Sequence, residues 1–317
     1  ESAQYPEDQS LATLSLYWQG ECQYRLKDFE SAEKLFKDFR SGYGASAQEV
    51  YNRSFYHSAY IAYKKFDFKA SADLFKVFVR DADDQDARKP DAYLRLGDAY
   101  LLTGGYLLAR NYYSKAVEAG IKDVDYAYFQ KAECLGLEGK SREKIAQLKS
   151  LAQNYPKSIY AERARYEIAL SLLQLEDYEA ALKAFATYEQ SYPQSDRKAE
   201  IGLKRGLIYS NQDKNTKAID EYKAVVAKYP GTPESLEAIR LAEINYKRIQ
   251  KIDDYLDWVA TIEFVDFKDS QLDSTAYAAA FDVYAAANYS QAVGSFQSYL
   301  RRYPKGIFYE PALYYGA

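Results

Sequence analysis

A single histidine, His57, limits what chemistry these 317 residues can host. An imidazole-based metal site needs more ligands than one His, and a Ser–His–acid relay would have to run through His57 alone. Flanked by Phe55 and Tyr56, it reads as a structural or surface residue. Cys22 and Cys134 follow the parallel stretches Gly20-Glu21 and Ala132-Glu133, and their spacing suits neither a metal site nor a redox pair. Both are expected to be small buried side chains, too far apart for the roughly 7 Å that a disulfide tolerates. The acidic run Asp81-Ala82-Asp83-Asp84-Gln85-Asp86 has Asp86 where a calcium loop needs Gly and Ala92 where it needs Glu, so it is expected to be a solvated loop. Thr103-Gly104-Gly105-Tyr106 is the one double glycine, and no strand precedes it as a phosphate-binding loop would require. No catalytic group, metal or cofactor is expected, and the chain does not read as an enzyme.

With no chemistry to position, the question becomes what the elements themselves present. Residues are 48% apolar and 28% charged, the balance of a folded globular protein. A net charge of −4 with interspersed signs argues against a nucleic-acid surface. No apolar stretch is long enough to span a bilayer, so any membrane association would come through segments outside this chain. Thirty-four tyrosines against two tryptophans is a skewed usage, and tyrosine suits half-buried contact faces.

The elements repeat. Tyr155-Pro156, Tyr192-Pro193, Tyr229-Pro230 and Tyr303-Pro304 place their prolines 37, 37 and 74 residues apart. Upstream, a small residue recurs at Gly20, Ala59, Gly97, Ala132, Ala169, Gly206, Ala242 and Ala280. Twelve positions later stand Ala32, Ser71, Ala109, Lys144, Ala181, Ala218, Asp254 and Ala292, small in six units. Four further on come Phe36, Phe75, Tyr113, Leu148, Phe185, Tyr222, Trp258 and Phe296, bulky in all eight. Antiparallel helices approach closely only across small residues, so each unit predicts a helical hairpin, the bulky residue filling the space between neighbouring hairpins. Lys144 and Asp254 predict loose packing in the fourth and seventh.

This pattern resembles the tetratricopeptide repeat family, whose signature has Gly or Ala on helix A, Ala and an aromatic on helix B, and Pro after helix B. The resemblance implies an all-α, right-handed superhelical solenoid of antiparallel hairpins. Residues 1–317 would form one array with repeats near 13–50, 52–88, 90–124, 125–161, 162–198, 199–234, 235–272 and 273–308, and partial repeats at both ends. Tyr5-Pro6 sits where a preceding repeat would finish and Ala312-Leu313-Tyr314-Tyr315-Gly316-Ala317 reads as a ninth helix A, so the chain reads as a window of a longer array. Endings such as Tyr155-Pro156-Lys157-Ser158 are similar to those of bacterial cell-envelope arrays, namely outer-membrane assembly lipoproteins and Tol–Pal-associated proteins. That similarity implies a periplasmic location, with the cytoplasm as the alternative.

The family also implies that helix A lines a concave groove through positions 2, 5, 9 and 12 of the repeat. By register these include Tyr17 and Tyr24; Arg53, Tyr56, Tyr60 and Tyr63; Tyr126 and Phe129; Arg163 and Tyr166; Tyr246; and Tyr277, Phe281 and Tyr284. Members that grip acidic chaperone tails carry Lys at position 5 and Asn at position 9, which no unit here does. The function implied is a scaffold binding a peptide or helix of a partner protein on this tyrosine-rich surface, with no small-molecule substrate. A structural spacer within a larger envelope assembly is the competing reading. Tyr56, Tyr60 and Tyr63 would form one aromatic stripe and Tyr277, Phe281 and Tyr284 a second, with Arg53 and Arg163 free for a partner's carboxylates.

Overall fold

The computed structural model describes residues 6–317, so Tyr5 and whatever its Tyr-Pro pair closes lie outside the described residues. Every regular element within them is helical. The first hairpin joins α1 (Pro6–Arg25) to α2 (Phe29–Ser41), the second α3 (Tyr51–Lys64) to α4 (Phe68–Asp81), and the third α5 (Lys89–Leu102) to α6 (Tyr106–Glu118). Then come α7 (Val124–Leu137) with α8 (Ser141–Asn154), α9 (Ala161–Gln174) with α10 (Tyr178–Ser191), and α11 (Lys198–Asn211) with α12 (Asn215–Lys228). The last are α13 (Pro233–Arg248) with α14 (Ile252–Val259), α15 (Asp269–Ala285) with α16 (Tyr289–Arg302), and an unpaired α17 (Tyr309–Gly316). Odd-numbered helices are the A helices of the sequence register, even-numbered the B helices.

The small-and-large pattern is the packing rule of each hairpin. All eight small A-helix residues are buried. A Cβ built on Gly20 would come within 3.0 Å of the Phe36 ring, on Gly97 within 2.6 Å of Tyr113, and on Gly206 within 2.3 Å of Tyr222. The bulky B-helix residue thus rests directly on the small residue of its own hairpin, rather than only filling the space between hairpins. The two tyrosines of this position, Tyr113 and Tyr222, both face glycine, where no side chain could be accommodated without moving the ring.

The fourth hairpin is not loosened by its lysine. Lys144 runs its stem over Gly136, where a Cβ would meet Lys144 Cδ at 3.0 Å, and its ammonium reaches Glu167 at 2.8 Å. A second small residue one turn along α7 makes the room that Lys144 removes, and Leu148 and Leu151 stay fully buried. The seventh does depart: α14 has only 8 residues, Asp254 is exposed, and Trp258 is only partly buried.

Every A-to-B turn places one residue in the left-handed region: Lys27, Phe66, Gly104, Gly139, Glu176, Asp213, Gln250 and Ala287. The next residue's N–H then donates to a carbonyl five residues back, as from Asp28 to Gln23 and from Lys251 to Tyr246. Such bonds satisfy the orphan carbonyls at a helix end. Asp28, Asp67 and Asp177 go on to cap helix B by accepting from the N–H three residues later.

The Tyr-Pro endings have an equally local cause. A residue before Pro is pushed out of the helical region, and Tyr155, Tyr229 and Tyr303 all have ψ between 56° and 67°. Ser158 Oγ accepts from Tyr160 N–H at 3.0 Å while donating to Asp125 at 2.6 Å, opening the next A helix. Ser195 does similar work with Arg197 N–H and the Tyr188 hydroxyl. Turn chemistry accounts for the Tyr-Pro-x-Ser ending.

The chain divides into two compact units, residues 1–184 and 185–317, with the boundary inside α10. In the first, buried apolar residues form several separate clusters, one around Phe36 and Phe39, another around Phe75 and Phe78, a third around Phe129 and Leu148. In the second, one cluster runs from Ala218 through Tyr246 and Leu256 to Phe296 and Ala312.

Candidate functional site

The A-helix face of the first unit is joined across successive helices by side-chain hydrogen bonds, most of them centred on α5. Asp91, Arg95 and Asp98 fall four and then three residues apart, so they share one face of that helix. From α3, the Tyr56 hydroxyl donates to Asp91 Oδ2 at 2.8 Å, and Tyr60 donates to the same oxygen. Arg95 donates through Nε to the Tyr60 hydroxyl at 3.1 Å and through Nη1 to Asp98 Oδ2 at 2.8 Å. Asp98, only 3% exposed, accepts at Oδ1 from Tyr113 of α6 at 2.8 Å and from Tyr126 of α7 at 2.7 Å. A buried carboxylate is tolerable only when hydrogen-bonded this fully.

The hydroxyls respond to this setting. Burial raises the pKa of Tyr60, Tyr113 and Tyr126 above the ordinary phenol value, and the charge of the nearby aspartate raises it further. All three therefore remain neutral donors. The sequence register pointed to the tyrosines and passed over their acceptors. Applied to the third unit it would have found Asp91 and Asp98 at positions 2 and 9, with Arg95 between them.

Several expected groove residues are core instead. Tyr17 is 1% exposed and packs against Phe36 and Phe39, and burial pushes its phenol up to about 12. Phe129, Tyr166 and Tyr246 are also buried. The reason is common to all four: positions 5 and 12 lie close enough to helix B for a large ring to turn inward. Tyr24, Tyr56, Tyr60, Tyr63 and Tyr126 remain half-buried, each keeping part of its ring at the surface.

In the second unit, Tyr277, Phe281 and Tyr284 lie together as expected but are overlaid. Tyr277 stacks on Phe308 at 4.6 Å, and Phe281 and Tyr284 meet Tyr315 of α17 at 5.3 and 4.9 Å. The ninth A helix occupies the face that this stripe would offer. Neither arginine is free: Arg53 pairs with Glu49 at 3.3 Å, while Arg163 lies 4.8 Å over the Phe129 ring with Glu133 at 3.6 Å.

His57, on α3, faces the first hairpin, stacked on Phe36 of α2 with Nε2 2.9 Å from Glu21 of α1. The carboxylate favours the imidazolium and burial opposes it. Burial dominates, lowering the imidazole to about 4, so His57 is neutral near pH 7. Cys134 is buried with its thiol pushed up to about 12, whereas Cys22 is exposed, contrary to expectation, because α1 has no described hairpin on that side. The acidic loop is tied by Lys89 to Asp84 and by Arg88 to Asp86, and no cluster of His, Cys, Asp or Glu that could hold a metal ion occurs among the described residues. No described helix is long and apolar enough to cross a membrane.

Comparison with known proteins agrees with this architecture. Models described as tetratricopeptide repeat match residues 14–46, 90–119, 139–196 and 166–233. Among solved structures, a tetratricopeptide repeat protein from Parabacteroides merdae is similar at 14% identity and a TM-score of 0.51, covering 84% of this chain and 98% of that one. The C-terminal part of a repeat-containing protein from Cytophaga hutchinsonii is similar at 13% identity and a TM-score of 0.51, covering 94% and 99%. At these identities the likeness shows the fold. The search of curated proteins found no match.

Proposed function

Because the chain is built of tetratricopeptide repeats, which generally mediate protein–protein interactions and are typically non-catalytic, we propose that it is a scaffold whose first unit binds an extended segment of a partner protein on its A-helix face. The observation that carries this reading is the set of half-buried tyrosines, Tyr24, Tyr56, Tyr60, Tyr63 and Tyr126, on the A helices α1, α3 and α7. Half-buried rings held by their neighbours bind at little entropic cost, which is what aromatic anchors need. Expected anchors shrink accordingly to these five, and Tyr17, Phe129, Tyr166 and Tyr246 serve the fold.

Partner capture with the full chain from its native cell, followed by calorimetry on the isolated pair, tests this. Tyr24→Ala with Tyr63→Ala should weaken the complex by about 2 kcal/mol or more while the circular dichroism spectrum stays helical. Unchanged affinity in a folded double variant would exclude this face.

A further inference from the structure

Several charges on the A-helix face of the first unit are paired. Glu21 has Arg25 at 2.8 Å, Arg53 has Glu49, and Glu133 and Glu167 share Lys144 and Arg163. At α5 two carboxylates, Asp91 and Asp98, share one cation, Arg95. Arg95 is committed to Asp98 at 2.8 Å and stands 3.6 Å from Asp91.

Asp91 is also unevenly used. Its Oδ2 accepts both tyrosine hydroxyls, while Oδ1 has only the long approach of Arg95, and the side chain is 27% exposed. Beside it lie the rings of Tyr56 and Tyr60, their centroids 5.1 Å apart and edge to face. The field of Asp91 extends beyond these two: it contributes, after burial, to raising the Tyr24 hydroxyl on α1. An open carboxylate oxygen next to aromatic rings, in surroundings of unbalanced negative charge, suits a cation with an aliphatic stem.

We propose that Asp91, framed by Tyr56 and Tyr60, is where the A-helix face takes a cationic side chain, arginine or lysine, from the bound segment. This rests on the reading of that face as the binding surface. The stem lies along the two rings while the head group donates to Asp91 Oδ1, completing the charge balance that Arg95 leaves unfinished. A partner's glutamate or aspartate at this point meets the like charge of Asp91 and is disfavoured.

The test uses the full chain with isotope-labelled tyrosines and three small probes: the N-acetyl methylamides of arginine, glutamate and norleucine. The arginine probe should shift the Tyr56 and Tyr60 ring resonances and the other two should not. Asp91→Asn, which keeps an acceptor for both hydroxyls, should weaken the arginine effect about tenfold, the size expected for losing a charge-assisted bond. Added salt should weaken it in the same direction. Equal shifts from the glutamate probe would overturn the charge assignment while leaving the binding face standing, and they need no variant to be seen. If no probe moves these rings and the Tyr24, Tyr63 double variant still holds its partner, the binding face falls as well.

Discussion

Tyrosines at matching register positions behave differently in the two units. In the first, Tyr56, Tyr60 and Tyr126 of the A helices reach carboxylates of α5, and the bonds run from helix to helix. In the second, Tyr277 and Tyr284 reach other rings, and Tyr246 turns toward Tyr255 and Trp258. The cores differ too, with several clusters in the first unit and, in the second, a cluster that runs unbroken from Ala218 to Ala312. Tyr56 and Tyr60 also pack on Phe75, so what sets the first unit apart is the directional bond that fixes each hydroxyl in addition. Tyr56 and Tyr277, both at position 5 and both half-buried, thus differ in what fixes them: a carboxylate of the next A helix in one, the rings of Tyr299 and Phe308 in the other.

Each unit carries one tryptophan, Trp18 and Trp258, so single-tryptophan variants can follow the two separately in urea unfolding. The largest effect expected is from Asp98→Ala, which leaves Arg95 and two tyrosine hydroxyls without their shared acceptor. Removing one partner of a buried ionic network costs about 3–5 kcal/mol, here confined to the Trp18 signal. A comparable loss read at Trp258 would mean that the two regions do not differ as described.

Acid should separate them next. The only histidine lies in the first unit, and its imidazole falls from 6.5 to about 4 on folding. The unfolded chain thus binds the extra proton first, so this contribution is complete above pH 6.5 and is lost as pH falls toward 4. Its size is up to roughly 3 kcal/mol. Comparing wild type with His57→Gln across this window isolates it, and a parallel pH slope in both would remove His57 as the cause.

Phe281→Ala probes the second unit's ring packing. It should cost about 2–3 kcal/mol at Trp258, less than a fully buried phenylalanine because Phe281 is only partly covered. The smallest effect is expected from Tyr60→Phe, which keeps the ring and removes one hydroxyl, at about 1 kcal/mol. Binding should survive that change, since the aromatic face remains. Loss of binding without loss of stability would show that the hydroxyl, not the ring, faces the partner.

The hairpin architecture was legible in the sequence because it depends on residue size at fixed spacing, which Gly97 and Tyr113 or Gly206 and Tyr222 display directly. The partition of the tyrosines was not, because whether a ring turns inward depends on the helix it faces. Tyr17 and Tyr56 share position 5 and each packs on two phenylalanines of its own helix B, yet Tyr17 is buried while Tyr56 stays half-buried and bonds Asp91 across to α5. Lys144 misled for a related reason: its compensation, Gly136, stands on the opposite helix and outside the repeat signature.

Six of the eight A-to-B turns ask a residue other than glycine to adopt a left-handed backbone, among them Phe66 and Ala287. Each such residue holds local strain of about 1–2 kcal/mol. Relieving them one at a time should act additively where the turns belong to hairpins that are not neighbours. The thermal ceiling of this protein is consequently set in part at its turns rather than in its helices, and glycine there would raise the melting temperature. Backbone strain at these six positions keeps the molecule less heat-resistant than its helix packing would permit.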